Sequence, residues 1–148
     1  MNISPEHNRV ALVTGAGTGI GRAVAKGLQS DGFSLVLAGR TDETLEQTRE
    51  DIVASGGNTF VCRTDICNPD AVQDLFTRTE QTFGRLDLLF NNAGVWPPTV
   101  PLDELTLNEW KEVVDINLTG TFLCAQAAFR LMKAQKPRGG RIINNGSI

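Results

Sequence analysis

The stretch Val10-Ala11-Leu12-Val13-Thr14, followed by Gly15-Ala16-Gly17-Thr18-Gly19-Ile20-Gly21-Arg22, restricts this chain more than any other. An apolar run without polar alternation suits a strand covered on both faces. The four glycines behind it predict a tight turn into a helix. Glycine has no Cβ, so ligand oxygens can approach the backbone, and the unpaired N–H groups at the helix start favour a phosphate. The spacing Gly15-x-x-x-Gly19-x-Gly21 departs from G-x-G-x-x-G, which would need glycine at position 20 or 22. It also fits no G-x-x-x-x-G-K-[ST] loop.

With 148 residues, 41% of them hydrophobic, the chain can fill one core. No linker, repeat or low-complexity tract divides it, so residues 1–148 read as one unit. A net charge of -3 supplies no basic field, which argues against nucleic acid or an anionic membrane as partner. The first nine residues hold no apolar signal core, and no later run approaches a membrane span; the cytoplasm is the expected location. Cys62, Cys67 and Cys124 are unevenly spaced and His7 is the sole histidine. No metal site is expected, and the cysteines read as small core or near-surface residues.

Ile20, Val24, Gly27 and Leu28 recur at helical spacing up to Asp31-Gly32. Leu35–Ala38 reads as a second buried strand, followed by Gly39, Arg40 and a helix from Asp42 to about Ser55. Asn58–Cys62 is a third strand, with Asp65 in the loop beyond it. Asn68 caps the next helix and Pro69 takes its first position, where no N–H is needed; Val72, Leu75 and Phe76 form its inner face. Leu86–Phe90 is a fourth strand, ending in Asn91-Asn92-Ala93-Gly94. Beyond Pro97, Pro98 and Pro101, Thr106-x-x-Glu109 is a capping box for one long helix. Its apolar stripe would contain Trp110, Val113, Val114, Thr121, Cys124, Ala128 and Leu131. Asn117 falls in that stripe, where an amide needs partners. Arg141–Ser147 reads as a fifth strand. The alternation implies a parallel sheet with helices on both faces and a ligand crevice at the strands' carboxyl ends, where Gly15, Arg40, Asp65, Asn92 and Ser147 all fall. Trp96 and the segment to Leu105 read equally as a cover over that crevice and as a packed surface loop.

Thr14-Gly-x-x-x-Gly-Ile-Gly21, Asn91-Asn-Ala-Gly94, Asn117 within Asp115-Ile-Asn-Leu, and Gly146-Ser147 resemble the motifs of the short-chain dehydrogenase/reductase family, in its order and across nearly the whole chain. The resemblance implies a Rossmann-type doubly wound α/β/α fold with strand order 3-2-1-4-5. It also implies a nicotinamide-dependent oxidoreductase acting on carbonyl compounds and alcohols, as a homodimer or homotetramer. By this resemblance Gly15, Gly17, Thr18, Gly19 and Ile20 would hold the cofactor's phosphates, Asp65 and Ile66 its adenine, and Asn92, Ala93 and Gly94 its middle. The acidic residue that marks NAD enzymes after the second strand is replaced by Gly39, and the Arg40 guanidinium can pair with a 2′-phosphate. NADP is therefore favoured, with NAD possible. Ser147 would donate a hydrogen bond to the substrate oxygen, and Asn117 would hold a water in a proton relay.

The family's Tyr-x-x-x-Lys should follow Ser147, yet the sequence contains no tyrosine. Nothing else has the position and pKa to pass a proton to the substrate oxygen. The chain is thus expected to be the amino-terminal part of a longer reductase, a dinucleotide-binding domain stopping after the fifth strand and inactive alone. A dinucleotide-binding sensor or interaction protein without chemistry is the alternative.

Overall fold

The computed structural model describes residues 9–146. Its elements are β1 (Val10–Thr14), α1 (Gly19–Ser30), β2 (Ser34–Gly39), α2 (Asp42–Ala54), β3 (Thr59–Arg63), α3 (Pro69–Phe83), β4 (Leu88–Asn91), α4 (Leu107–Val114), a π-helical segment (Asp115–Gly120), α5 (Thr121–Ala134) and β5 (Arg141–Asn144). The strands form one parallel sheet in the order β3-β2-β1-β4-β5, the order implied by the motifs. Successive side chains of a strand point to opposite faces. Leu12 and Val36 accordingly join a core beneath α3 and α5, while Val13, Leu35 and Leu37 join a second core beneath α1 and α2. Leu12, Leu35, Leu37 and Leu89 are wholly buried, each contributing roughly 2 kcal/mol.

Local signals place several element ends. The Asn68 side chain accepts from the Asp70 and Ala71 amides, and Gly84, at φ +73°, closes α3 in the left-handed conformation. Thr106 and Glu109 form a reciprocal capping box on α4.

Four expectations need correction. Of the α1 residues expected to face inward, Val24 and Leu28 pack on the core, but Ile20 is 61% exposed and Gly27 points to solvent. Gly21 and Ala25 take the buried face instead, because the turn needs Gly21 against β1. The long helix is not continuous. Its π-helical turn carries an extra residue, which shifts the phase of the apolar stripe. Trp110 is consequently 57% exposed, α4 buries no residue, and Ile116, Cys124, Ala128 and Leu131 make the contact with the core. Asn117 is exposed rather than within a buried stripe. The fourth strand starts at Leu88, and the fifth ends at Asn144 because only β4 pairs with it among the described residues. Ser147 lies outside the described residues.

Leu86 leaves the ladder because a side chain takes both of its backbone groups. Gln135, 8% exposed, accepts from the Leu86 N–H at 2.8 Å and donates to the Leu86 carbonyl at 2.9 Å and the Gly139 carbonyl at 2.7 Å. It fastens the end of α5 to the start of β4. Truncation to alanine would strand a buried donor and acceptor, so Gln135→Ala is expected to cost about 3 kcal/mol. Urea denaturation checks this; a variant as stable as the parent would show that the clamp contributes nothing net.

Asp87 ties the same region to β1. Its carboxylate accepts the Val10 N–H at 2.9 Å and two bonds from Arg85, at 2.9 and 2.6 Å. Burial pushes the Asp87 pKa upward, but the Arg85 and Val10 hydrogen bonds outweigh it and hold the carboxyl below its ordinary value. The unfolded chain therefore binds the proton first as pH falls. This contribution is complete above about pH 4, the unfolded carboxyl's range, and disappears as pH drops through the lower folded value. Asp87→Asn is expected to flatten that part of an acid-unfolding profile; an unchanged acid limb would refute the coupling.

Candidate functional site

The carboxyl end of β1 is joined to that of β4 by a hydroxyl. Thr14, 1% exposed, accepts at Oγ1 from the Asn92 N–H at 2.9 Å and the Ala93 N–H at 3.0 Å. Just beyond it, Gly15 and Gly19 adopt φ of +64° and +51°, the region that favours glycine. A Cβ on Gly21 would lie 2.1 Å from the Gly15 carbonyl oxygen, and one on Gly17 would lie 2.3 Å from Thr44 Oγ1. Only bare backbone fits at either place. The first turn of α1 contains no acidic residue, and the Thr18 side chain makes no capping hydrogen bond. The first N–H groups of α1 and the positive end of its dipole are thus left without a capping side chain or a carboxylate.

Asn92 carries the connection on. Its Nδ2 donates to the Thr14 carbonyl at 3.2 Å and reaches the Gly15 carbonyl at 3.4 Å, while its Oδ1 accepts from Asn145 Nδ2 at 2.9 Å. One amide chain therefore links the ends of β1, β4 and β5. Asn117 makes a second link: its Oδ1 accepts the Val95 N–H at 2.8 Å and its Nδ2 donates to the Val95 carbonyl at 2.9 Å. These two bonds meet its need for partners although the residue is exposed. Gly120 lets the π-helical segment approach, since a Cβ there would lie 2.6 Å from Ile66 Cγ1.

Across the sheet, Arg40 follows β2 and Asp65 follows β3. The Arg40 guanidinium has no hydrogen-bond or ion-pair partner among the described residues, and the Arg40 carbonyl is held by Arg63 Nε at 3.2 Å. One Asp65 oxygen accepts the Cys67 N–H at 3.0 Å. The Cys67 thiol is held above its ordinary pKa by burial and then by the Asp65 carboxylate. Burial alone pushes Cys124 up to about 12. Among the described residues, the three cysteines form no disulfide.

These groups surround a cleft of about 960 Å³ along the carboxyl ends of the strands. Gly15, Gly17, Thr18, Gly19, Ile20, Arg40, Asp65, Ile66, Asn92, Ala93, Gly94 and Asn117 all line it. Sequence reasoning overlooked Thr44, Val95 and Asn145, gave Thr14 no role beyond opening the glycine motif, and left Trp96 between two readings. Thr14 carried a signal as the polar end of an apolar run, whereas Asn145 acquires a role only through its contact with Asn92.

A parallel sheet whose order reverses between β1 and β4, with a glycine turn and an open cleft at that reversal, defines a Rossmann-type doubly wound protein with its ligand crevice at the switch point. A family model described as short chain dehydrogenase matches residues 9–148, and the chain belongs to that family. It is 40% identical over 141 residues to a 3-oxoacyl-[acyl-carrier-protein] reductase of Synechocystis sp., covering 95% of this chain and 56% of the relative. To a 3beta-hydroxysteroid dehydrogenase of Mediterraneibacter gnavus it is 36% identical over 140 residues, covering 95% and 50%. The solved structure of a metagenomic short-chain oxidoreductase in complex with NADP superimposes with a TM-score of 0.90 at 37% identity, over 95% of this chain and 63% of that one. The chain spans about half the length of the curated relatives it matches.

Proposed function

We propose that this chain forms the cofactor-holding part of an oxidoreductase that moves hydride between a nicotinamide dinucleotide and a carbonyl or secondary alcohol carbon, with NADP preferred to NAD. The observation that carries this reading is the glycine turn. Gly17 and Gly21 are places no Cβ can occupy, beside unspent helix N–H groups that open onto the cleft. That is the donor set a pyrophosphate needs. The solved relative that holds NADP supports the same reading.

In this reading Gly15, Gly17, Thr18, Gly19 and Ile20 hold the phosphates, Asp65 and Ile66 the adenine, and Asn92, Ala93 and Gly94 the middle of the dinucleotide. Arg40 meets the 2′-phosphate with an unengaged guanidinium. Gly39 stands where an acid would face that phosphate, so no carboxylate there opposes it. The bound dinucleotide would supply or accept the hydride. Asn117 still has one Nδ2 hydrogen and one Oδ1 lone pair after pairing with Val95, enough to hold a water. Ser147 donates a hydrogen bond to the substrate oxygen as charge builds there. With no tyrosine in these 148 residues, the acid/base phenol and its lysine belong to sequence beyond residue 148. Catalysis, and assembly as a homodimer or homotetramer, are then properties of a longer protein, in keeping with the half-length match to relatives.

Titration of the folded chain with NADPH and NADH, followed by nucleotide fluorescence, tests the reading. Saturable binding with NADPH tighter is expected, and folded protein that binds neither removes it. In the longer protein, NADPH binding without turnover of any carbonyl compound would make the sensor the right description.

A further inference from the structure

The turn from Gly15 to Gly21 rests on α2, and one buried hydroxyl ties the two together. Ala16 is fully buried, and its N–H donates to the Ala38 carbonyl of β2 at 3.1 Å. Its carbonyl accepts from Thr48 Oγ1 at 3.1 Å, and Thr48 is itself wholly buried in the middle of α2. The same hydroxyl lies 3.1 Å from the Thr44 carbonyl and accepts from Arg22 Nε at 3.0 Å, while Arg22 Nη2 donates to Gln47 Oε1 at 3.3 Å. A threonine hydroxyl has one proton to give. Thr44 and Thr48 stand one helical turn apart, so the Thr44 carbonyl already takes the Thr48 N–H, and the proton is needed at Ala16. Thr44 closes the space beside Gly17, where a Cβ would lie 2.3 Å from the Thr44 hydroxyl.

Resting on the dinucleotide reading above, we propose that Thr48 is a positioning residue for nucleotide binding, its hydroxyl setting the direction of the Ala16–Gly17 peptide before the phosphates arrive. A peptide unit is planar and trans, so a carbonyl held toward α2 fixes the Gly17 N–H on the opposite side of the same plane. Gly17 lines the cleft and Thr48 does not, so the hydroxyl acts through this peptide rather than by touching the nucleotide. The Arg22 bond occupies a lone pair of the hydroxyl, which turns its proton toward the carbonyls and extends the tie to the first turn of α1. Glycine at position 17 makes rotation of the peptide cheap once the hydroxyl is gone. The order that Thr48 supplies in the empty protein would then have to be supplied on binding.

Three substitutions separate the hydroxyl from the methyl group. Thr48→Val keeps the shape and removes the hydroxyl, Thr48→Ser keeps the hydroxyl and removes the methyl, and Thr48→Ala removes both. Each variant is titrated with NADPH and with NADH, followed by nucleotide fluorescence, at a temperature below its own melting transition. Affinity is expected to follow the hydroxyl: Thr48→Val and Thr48→Ala should weaken both nucleotides about tenfold, roughly what one hydrogen bond contributes, and Thr48→Ser should stay within about twofold of the parent. The loss should be the same for NADPH and NADH, because the turn serves the pyrophosphate that they share. A packing role would instead group Thr48→Ser with Thr48→Ala and leave Thr48→Val like the parent. That grouping, parental affinity in all three variants, or a loss confined to NADPH would each overturn the proposal. Should Thr48→Val fail to fold, Thr48→Ser against Thr48→Ala decides, since these two differ only in the hydroxyl. A folded parent that binds neither nucleotide removes the dinucleotide reading and this role with it, whereas a parent that binds both and variants that group by the methyl remove only the role of Thr48.

Discussion

Gly21→Ala is expected to cost about 3 kcal/mol of stability, because the added methyl group meets backbone rather than a flexible side chain. The carbonyl of Gly15 would stand 2.1 Å from the new Cβ and Asn92 Nδ2 2.6 Å from it, so α1 must move away from β1 or the turn must open. In a domain of this size that corresponds to a fall in melting temperature of roughly 10 °C. The same displacement pulls the first N–H groups of α1 from their places, so NADPH affinity should fall about a hundredfold or more at temperatures where the variant is still folded. Circular dichroism gives the first quantity and nucleotide fluorescence the second. A variant that melts with the parent and binds NADPH equally well would show that the turn tolerates a side chain and is not the phosphate cradle.

Arg40→Asp should leave stability nearly unchanged, since the guanidinium is exposed and unpaired among the described residues, yet weaken NADPH binding by about a hundredfold. A charge-assisted pair with a phosphate accounts for roughly half of that on a logarithmic scale, and repulsion by the introduced carboxylate for the remainder. NADH has no 2′-phosphate and should lose less than about threefold. The gap should narrow at high salt, as the site is open to solvent. Equal changes for the two nucleotides would remove Arg40 from the site.

Much of this architecture could be read from the chain before its coordinates, and the reasons are local. An apolar run with no alternation must be buried on both faces, and glycines spaced as in Gly15 to Gly21 must turn sharply, whatever surrounds them. Asn68-Pro69 and Thr106-x-x-Glu109 act within one helical turn, and their caps form as expected. The strand order followed from the match of motif order to a family rather than from any single segment. The candidate cleft was largely legible for the same reason, since every expected residue within the described range except Asn117 follows a recognisable strand.

Tertiary structure alone decided the π-helical turn and all that depends on it. The packing of Gly120 on Ile66 and the pairing of Asn117 with Val95 join segments 54 and 22 positions apart, and only the folded chain brings them together. That turn rotates Trp110 outward and carries Asn117 from a presumed buried stripe to the cleft wall. Gln135 gripping Leu86 and Asn145 gripping Asn92 have the same origin. Sequence by itself determined which backbone must be bare and which faces must be covered, because both are properties of a residue and its near neighbours. Which polar side chain satisfies which distant backbone group was decided only by the tertiary fold, because hydrogen bonds select partners by distance, and distances between remote segments exist only once the chain has folded.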